Sequence, residues 1–361
     1  MLSWLINDLL RVLKQTEIRV FSAVVMPDFF IDRFVAFPGD PEQFSTAVAD
    51  VAERKGGNIH GIRQVELRGG NAANTAAALA SLGAKACPII TTDALGLHLL
   101  KFYLHPLGVD LSHVKCDGKV SLTTAFELSY GGERVNVMMG DLGSLPAFGP
   151  KKLTERDFRL LREANYVGVF NWAATHRFGT SLAETVFRYV REEGKAKTYF
   201  DSGDPTPNLE SIPKLFRNVL QTRLLDVLSV NENEAFQYAR HLDDKVRHLK
   251  SKLDHFEVAK ECARILSKHL NARVDLHTTA FAGSFTHNDE TIVPAFQVKA
   301  LRSTGAGDAW NSGNIYGDGL QLPDSCRLTL ANAVAAYYVS NSIAEHPTLP
   351  RLIKFCQDQC R

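Results

Sequence analysis

The order of the segments predicts an α/β fold with a mostly parallel central sheet covered by helices on both faces. Short apolar and β-branched runs predict buried strands, among them 166–170 and, late in the chain, 285–287 and 296–298. They alternate with helical stretches such as 180–194, as in parallel sheets. Residues 120–139 contain two β-rich runs about Gly131 and Gly132, a pattern that predicts a hairpin. We therefore expect one large α/β domain with a small β-rich appendage.

An amphipathic helix is predicted at the start of the chain. Apolar residues recur there at helical spacing, opposite a polar side: Leu2, Leu5, Ile6, Leu9, Leu10 and Leu13. We expect 1–18 to pack as a helix on the body of the protein and 19–361 to form the main domain. The polar side has no basic cluster, which favours packing over a membrane-surface role.

The composition excludes several functional classes. The chain has 41 lysines and arginines against 40 acidic residues, a net charge of +1. A dedicated nucleic-acid binder would carry an excess of basic residues, which this chain lacks. A disordered chain would be less hydrophobic than this one, whose residues are 45% hydrophobic. No run approaches the ~18 apolar residues of a membrane-spanning helix. We expect neither nucleic acid nor a membrane among the partners.

The six cysteines do not form a metal-binding framework. They are scattered along the chain, and the nearest pair, Cys356 and Cys360, is not accompanied by the second close pair that zinc sites usually have. Scattered thiols in a long chain are typical of a reducing compartment, so we expect a cytoplasmic protein.

The segment from Ser303 to Trp310 carries the strongest chemical signal. Gly305 and Gly307 permit a tight turn into a helix, and amides at a helix N-terminus can converge on an anion. Asp308 would lie in the first helical turn, where a carboxylate can take the proton of an attacking alcohol. The segment therefore indicates either phosphoryl transfer or simply a glycine-rich helix start with a favourable acidic residue.

Two further motifs accompany this loop, and together the three resemble the ribokinase-like carbohydrate kinases, also called the phosphofructokinase-B family. The motifs are Gly69-Gly70-Asn71-Ala72-Ala73-Asn74, Asn231-Glu232-Asn233-Glu234 and Gly305-Ala306-Gly307-Asp308. They occur in the family's order within residues 20–345. The resemblance implies a three-layer αβα sandwich with a small β lid, which we assign to approximately 33–68 and 115–140.

The resemblance assigns roles to individual residues. Asp308 is similar to the catalytic base, and the amides of Gly305, Ala306 and Gly307 are similar to the anion hole. The substrate contacts correspond to Asp32, Gly69, Gly70, Asn74 and Asn171. Asp32 fits imperfectly, because the glycine that the family has five positions earlier is Pro27 here. Asp28 competes with Asp32 for the role.

Metal and nucleotide contacts also follow from the resemblance. Asn231 and Glu234 correspond to residues that organise Mg²⁺, largely through water, in keeping with the oxygen ligands that Mg²⁺ prefers. Nucleotide contacts are assigned to Asn231, Thr278, Gly283, Thr304 and Asn332.

Two departures from the family pattern leave questions open. Arg302 replaces an aspartate that often contributes to a monovalent-cation site, so K⁺ activation is uncertain. Ala280 replaces the first glycine of the nucleotide loop, so ATP is expected as donor with ADP as an alternative. Phe29, Phe30 and Trp172 are either packing residues or a platform for a nucleoside base.

We therefore expect a Mg-dependent kinase that phosphorylates a hydroxyl of a sugar or nucleoside, with a homodimer through the lid as a further expectation. One alternative is a sugar-phosphate kinase in which Arg302 or Arg68 holds a substrate phosphate. The other is a non-catalytic ligand-binding or regulatory protein on the same fold.

Overall fold

The computed structural model describes residues 2–341 and 343–360. Its strands within these ranges are β1 Ser22–Met26, β2 Phe30–Ala36, β3 Arg63–Gly69, β4 Lys85–Pro88, β5 Ser121–Tyr130, β6 Glu133–Asp141, β7 Tyr166–Phe170, β8 Lys197–Asp201, β9 Val227–Val230, β10 Arg273–His277, β11 Phe281–Phe285 and β12 Glu290–Pro294. Eight of them form one sheet in the order β12-β11-β10-β9-β8-β7-β1-β4. From β4 to β10 all neighbours are parallel, and β11 and β12 are antiparallel. The predicted mostly parallel sheet is confirmed.

Helices cover both faces of this sheet. The α-helices of the described residues are α1 Leu2–Gln15, α2 Pro41–Glu53, α3 Asn71–Leu82, α4 Ala94–Leu104, α5 Glu155–Glu163, α6 Gly179–Glu193, α7 Ile212–Leu215, α8 Glu232–Leu242, α9 His255–His269, α10 Ala306–Gly319, α11 Asp324–Val339 and α12 Leu349–Asp358. Of these, α2 packs on β5 and not on this sheet. Alternate residues of β1 enter opposite cores, as the two-residue period of a strand requires. Val24 and Met26 pack with α5, α6, α8 and α9, whereas Ala23 and Val25 pack with α1, α3, α4, α10, α11 and α12. The protein is therefore a three-layer αβα sandwich.

Local sequence signals account for several helix boundaries. The alanine-rich stretch forms α3 over Asn71–Leu82, and Gly83 ends it with a φ of 109°. Asp40, Thr154 and Asn231 begin α2, α5 and α8 with reciprocal capping-box hydrogen bonds. In α1, the apolar side of the predicted amphipathic helix is buried: Leu5, Ile6, Leu9 and Leu13.

A second, four-stranded sheet has the order β3-β2-β5-β6, and we call it the lid sheet. The hairpin predicted about Gly131 and Gly132 is confirmed, because β5 and β6 pair antiparallel up to Tyr130 opposite Glu133. The segments 33–68 and 115–140, assigned to a lid from the sequence, contribute residues to all four strands. No helix of the described residues is long and apolar enough to cross a bilayer.

The sequence misplaced the last two strands of the main sheet. It favoured 285–287 and 296–298, whereas the strands are β11 at Phe281–Phe285 and β12 at Glu290–Pro294. A turn stabilised by Thr278 starts β11 early, because its hydroxyl accepts hydrogen bonds from the amides of Ala280 and Phe281.

Candidate active site

The glycine loop leads into the N-terminus of α10. Gly305 has a φ of 85°, and a Cβ atom there would lie 2.5 Å from the hydroxyl of Tyr338, so the position requires glycine. Ala306 donates its amide to the carbonyl of Ser303 at 3.1 Å. The amides of a first helical turn have no acceptor within the helix, so Gly307 and its successor retain donors for an anion.

Asp308 lies in this first turn and is only 6% exposed. The side-chain amide of Asn74 donates to its Oδ2 atom at 2.9 Å, and Arg68 Nε donates to Oδ1 of Asn74 at 2.9 Å. These two bonds fix the orientation of the Asn74 amide. Burial raises the pKa of Asp308 to about 7; the Asn74 hydrogen bond lowers it, and three carboxylates raise it further, namely Asp201, Asp28 and Asp32. The carboxyl group can thus take up a proton near neutral pH.

Asp28 links the start of α3 to the central sheet through hydrogen bonds. Its fully buried carboxylate accepts hydrogen bonds from the amides of Asn71 at 2.9 Å and Ala72 at 2.8 Å. Asn171, whose φ is 50°, donates its side-chain amide to the same carboxylate at 2.8 Å. Gly70 adjoins this contact, because a Cβ there would lie 2.7 Å from the backbone of residue 29. Asp28 is therefore fully engaged in holding the motif together.

Asp32 offers a more open carboxyl group than Asp28. It lies on β2 against Gly69, where a Cβ atom would come within 2.2 Å of Oδ2 of Asp32. Burial raises the pKa of Asp32 to about 6, against a lowering hydrogen bond from Thr123. Its side chain remains partly exposed. Of the two acids weighed from the sequence, Asp32 is the one that can still accept hydrogen bonds from a substrate.

Two buried carboxyl groups lie near the C-terminal ends of β8 and β9. Glu234 accepts from the backbone amide of Asn231 at 2.9 Å and from its side-chain amide at 2.7 Å. Asp201 accepts from Gly203 at 2.9 Å and from Asn311 at 2.5 Å. Burial raises the pKa of both groups, and the charge of Asp201 raises that of Glu234 further. A divalent cation would favour the charged form of both, so this pair fits Mg²⁺.

The described residues contain no cage of three or more His, Cys, Asp or Glu side chains. An ion held by Glu234 and Asp201 would therefore need oxygen ligands from water or from phosphates, which is the usual pattern for Mg²⁺.

Two residues assigned to the nucleotide serve local structure here. The hydroxyl of Thr278 donates to the carbonyl of Phe281 at 2.8 Å within the turn before β11. Gly283 lies inside β11, where a Cβ atom would be 2.6 Å from the ring of Phe285. Their contact with a nucleotide stays a prediction.

The remaining two nucleotide candidates differ in exposure. Asn332 is buried, accepts from the indole of Trp310 at 2.9 Å and donates to the carbonyl of Pro294 at 3.1 Å. Thr304 lies partly exposed in the turn before α10, beside the anion loop. Of the two, Thr304 is the better placed for a ligand.

The aromatic residues near the strand ends belong to the core. Phe29 and Trp172 are each 1% exposed, and the indole of Trp172 donates to Thr180 at 2.9 Å. Phe30 is buried as well. None of these rings has a free face, so the structure favours packing over base stacking.

Comparisons with known proteins agree with this geometry. A family model described as pfkB family carbohydrate kinase matches residues 44–351. This chain belongs to that family. An ATP-dependent ribose-1-phosphate kinase of Halopiger xanaduensis is 30% identical over 249 residues, which is 68% of this chain and 72% of that protein. The predicted family and the predicted phosphotransferase class are confirmed.

Solved structures of low sequence identity share the fold. An adenosine kinase from Sinorhizobium meliloti has a TM-score of 0.70 at 15% identity, covering 94% of this chain and 99% of its own. A ribokinase from Cryptococcus neoformans in complex with ADP has a TM-score of 0.71 at 16% identity, covering 92% and 99%. An Arabidopsis thaliana ribokinase complexed with ribose and ATP has a TM-score of 0.66 at 16% identity, covering 94% and 99%. The ribokinase-like fold is thereby confirmed for this pfkB family member.

The two departures of this pfkB chain have simple structural consequences. Arg302 donates from Nε to the carbonyl of Asn341 at 3.1 Å, and its guanidinium lies 5.8 Å from the ring centre of Tyr338. It therefore connects the anion loop to the end of α11. Ala280 is not among the residues with positive φ, so replacing the family's glycine there introduces no backbone strain.

Sequence reasoning missed Asp201, Tyr338 and His346. A signal existed for Asp201, because an acidic residue at the carboxyl end of a parallel strand lies where α/β folds bind ligands. Tyr338 lies in α11 and His346 in the loop between α11 and α12, and only the fold brings them to the anion loop.

Proposed function

We propose that this chain is a Mg-dependent kinase that transfers the terminal phosphoryl group of ATP to a hydroxyl of a sugar, nucleoside or sugar phosphate. The observation that carries the proposal is the hydrogen bond between Asn74 and Asp308 at the start of α10. It holds a buried carboxyl group, whose pKa lies near 7, beside a set of helix N-terminal amides. A base and an anion site in contact are what phosphoryl transfer to an alcohol requires.

The proposed reaction is an in-line displacement. Asp308 takes the proton of the acceptor hydroxyl as its oxygen bonds to the terminal phosphorus of ATP and the bond to the bridging oxygen breaks, releasing ADP. The first-turn amides of α10 stabilise the charge on the transferring group. Glu234, Asn231 and Asp201 would hold Mg²⁺, which supplies charge neutralisation on the nucleotide phosphates. Asp32, Asn74, Asn171, Gly69 and Gly70 would position the acceptor.

ATP is the donor that we propose. The Halopiger xanaduensis relative is named as ATP-dependent, and the unstrained turn at Ala280 gives no reason for a different donor. The same relative is named as a ribose-1-phosphate kinase, which favours a sugar phosphate among the acceptors.

The test is a screen of purified protein with ATP, ADP or GTP against ribose, adenosine, ribose 1-phosphate and ribose 5-phosphate. We expect a phosphorylated product with ATP and Mg²⁺. Binding of ATP and an acceptor without any product would instead support the non-catalytic alternative.

We also propose a homodimer that forms through the lid sheet. Apolar side chains of β6 are about half exposed on that sheet, namely Val137, Met138 and Met139. Light scattering of wild type and of a Met139→Lys variant tests this, and a monomeric wild type would refute it. The cysteines are all free thiols, which supports a cytoplasmic location.

A further inference from the structure

We propose that Arg68 and His346 form a phosphate-binding subsite for the acceptor, so that this kinase prefers phosphorylated sugars to neutral sugars and nucleosides. The inference rests on the proposed kinase function and names the acceptor class of the same site. It is carried by the two terminal guanidinium nitrogens of Arg68 and the two ring nitrogens of His346, for which the described residues offer no hydrogen-bond partner.

Arg68 is a cation whose charge is only partly compensated, by electrostatic attraction to Asp308. Its Nε atom donates to Asn74, and the described residues offer no other hydrogen bond and no ion pair to the guanidinium. The two terminal nitrogens therefore keep donors in the planar arrangement that suits a phosphate. Burial lowers the pKa of Arg68 by more than the negative charge of Asp308 raises it, so the desolvated guanidinium is incompletely compensated. An anionic ligand would complete the compensation.

His346 is 6% exposed, and neither of its ring nitrogens has a hydrogen-bond partner. Its ring stacks on Tyr338, with ring centres 4.7 Å apart and an angle of 14° between the planes. Burial lowers the pKa of His346, and the charges of Arg68 and Arg302 lower it further. The neutral ring keeps one N–H donor, and an unpaired buried donor is rare in folded proteins. Its neighbours are thus cationic, as a phosphate site requires.

The position of this pair assigns the phosphate to the acceptor. Arg68 interacts electrostatically with Asp308 and is bonded to Asn74, which contacts the same carboxyl group. The amides of α10 already provide a site for the transferring phosphoryl group of the donor. A second cationic site next to the base therefore suits an anion on the molecule whose hydroxyl the base deprotonates. Without it, the nearby carboxylates would repel a phosphorylated acceptor.

The experiment compares Arg68→Gln with wild type on ribose 1-phosphate, ribose 5-phosphate, ribose and adenosine at fixed ATP, and then varies ATP. Glutamine can still donate to Asn74 but has no charge. The matched control is Arg188→Gln, an exposed arginine of α6 paired with Glu184. A second variant, His346→Phe, keeps the stacking on Tyr338 and removes the ring nitrogens.

We expect wild type to prefer a sugar phosphate. Arg68→Gln should lower kcat/KM for that acceptor by roughly 10-fold to 100-fold, which is the scale of charge-assisted hydrogen bonds. The KM for ATP should stay unchanged, and His346→Phe should show a smaller loss in the same direction. Equal losses on phosphorylated and neutral acceptors would overturn the proposal, because Arg68 would then act only through Asn74.

Other outcomes separate this inference from the kinase function. A raised KM for ATP with unchanged acceptor KM would overturn the inference and assign Arg68 to the donor phosphate. A wild type that phosphorylates only neutral sugars would overturn the inference and leave the kinase function standing. Absence of turnover with every acceptor would refute the proposed function itself. If Arg68→Gln does not fold, calorimetry of wild type with ribose 1-phosphate and ribose decides, and equal affinity contradicts the subsite.

Discussion

Asn74 donates its side-chain amide to Oδ2 of Asp308 at 2.9 Å, so the glycine motif at the start of α3 touches the anion loop at the start of α10. The two residues are 234 positions apart in the chain. Because Arg68 donates to the oxygen of the same amide, the amide cannot turn without losing a bond. The contact therefore orients the Asp308 carboxyl group and lowers its pKa against the larger raising effect of burial.

Asn74→Leu should raise the apparent pKa of the acidic limb of the kcat/KM profile. The Asn74 hydrogen bond lowers the pKa of Asp308, whereas burial raises it. Without the hydrogen bond, the pKa of Asp308 should therefore be higher. At neutral pH we expect a roughly tenfold or larger drop in kcat/KM. Asn218→Leu, which breaks a hydrogen bond to Glu184 away from the site, is the control. A lower kcat/KM with an unchanged apparent pKa of the acidic limb would show that Asn74 does not act on the pKa of Asp308.

Asp308→Asn should stabilise the fold more at pH 8 than at pH 5. The folded-state pKa of Asp308 is raised to about 7, so the folded protein binds this proton more tightly than the unfolded chain. Wild type therefore loses stability as the pH rises from about 4 to about 7. The neutral variant avoids this loss, and its advantage in free energy of unfolding should grow by about 2 kcal/mol between the two pH values. Denaturant unfolding of both proteins at pH 5 and pH 8 measures this difference in free energy of unfolding. A difference that becomes smaller as the pH rises would contradict the argument from burial.

Asp275→Asn should destabilise the protein strongly. Asp275 is fully buried on β10 and pairs with Arg273 at 2.8 Å and Arg327 at 3.0 Å. Loss of its charge leaves the buried Arg327 and the partly buried Arg273 less compensated, which costs about 3–5 kcal/mol. These two arginines hold the pKa of Asp275 well below its usual value. The stabilisation that the ionised carboxylate gives to the fold is therefore present above about pH 4 and is lost on acidification.

Denaturant unfolding at pH 7 and at about pH 2 measures both effects, because the contribution of Asp275 is lost only below about pH 4. The exposed Asp289→Asn should leave the free energy of unfolding unchanged. A destabilisation of Asp275→Asn that grows on acidification would contradict the sign of this contribution.

Turnover should be the same in K⁺ and in tetramethylammonium. Arg302 places a permanent cation on the carbonyl of Asn341, next to the anion loop. That carbonyl is thereby occupied by a donor from the chain itself. Initial rates in the two chloride salts at equal ionic strength provide the test. Several-fold stimulation by K⁺ would show that a cation still binds there.

The local parts of the fold followed directly from the sequence. Alanine propensity and Gly83 determined α3, and Asn231 with Glu234 formed the predicted motif at the start of α8. The motif residues Gly305 and Asp308 also lie at a helix start as predicted. Each of these depends on contacts within a few residues, which a pattern can represent.

Long-range contacts explain what the sequence left out. Asp28 and Asp32 are equivalent acids in the sequence, and only the packing of α3 against β1 assigns the first to the backbone. His346 follows α11 in an irregular segment, and its stacking on Tyr338 depends on the path of that loop. The strands β11 and β12 shifted because a side-chain turn at Thr278 overrode the apolar pattern.

The central claim is that Asp308 is the base of a phosphoryl transfer. Its most direct test is the turnover of Asp308→Asn with ATP, Mg²⁺ and the best acceptor, beside the exposed control Asp244→Asn. We expect kcat to fall by at least ~10², while ATP binding and the folded state persist and the control keeps full activity. Turnover of Asp308→Asn close to that of wild type would contradict the claim.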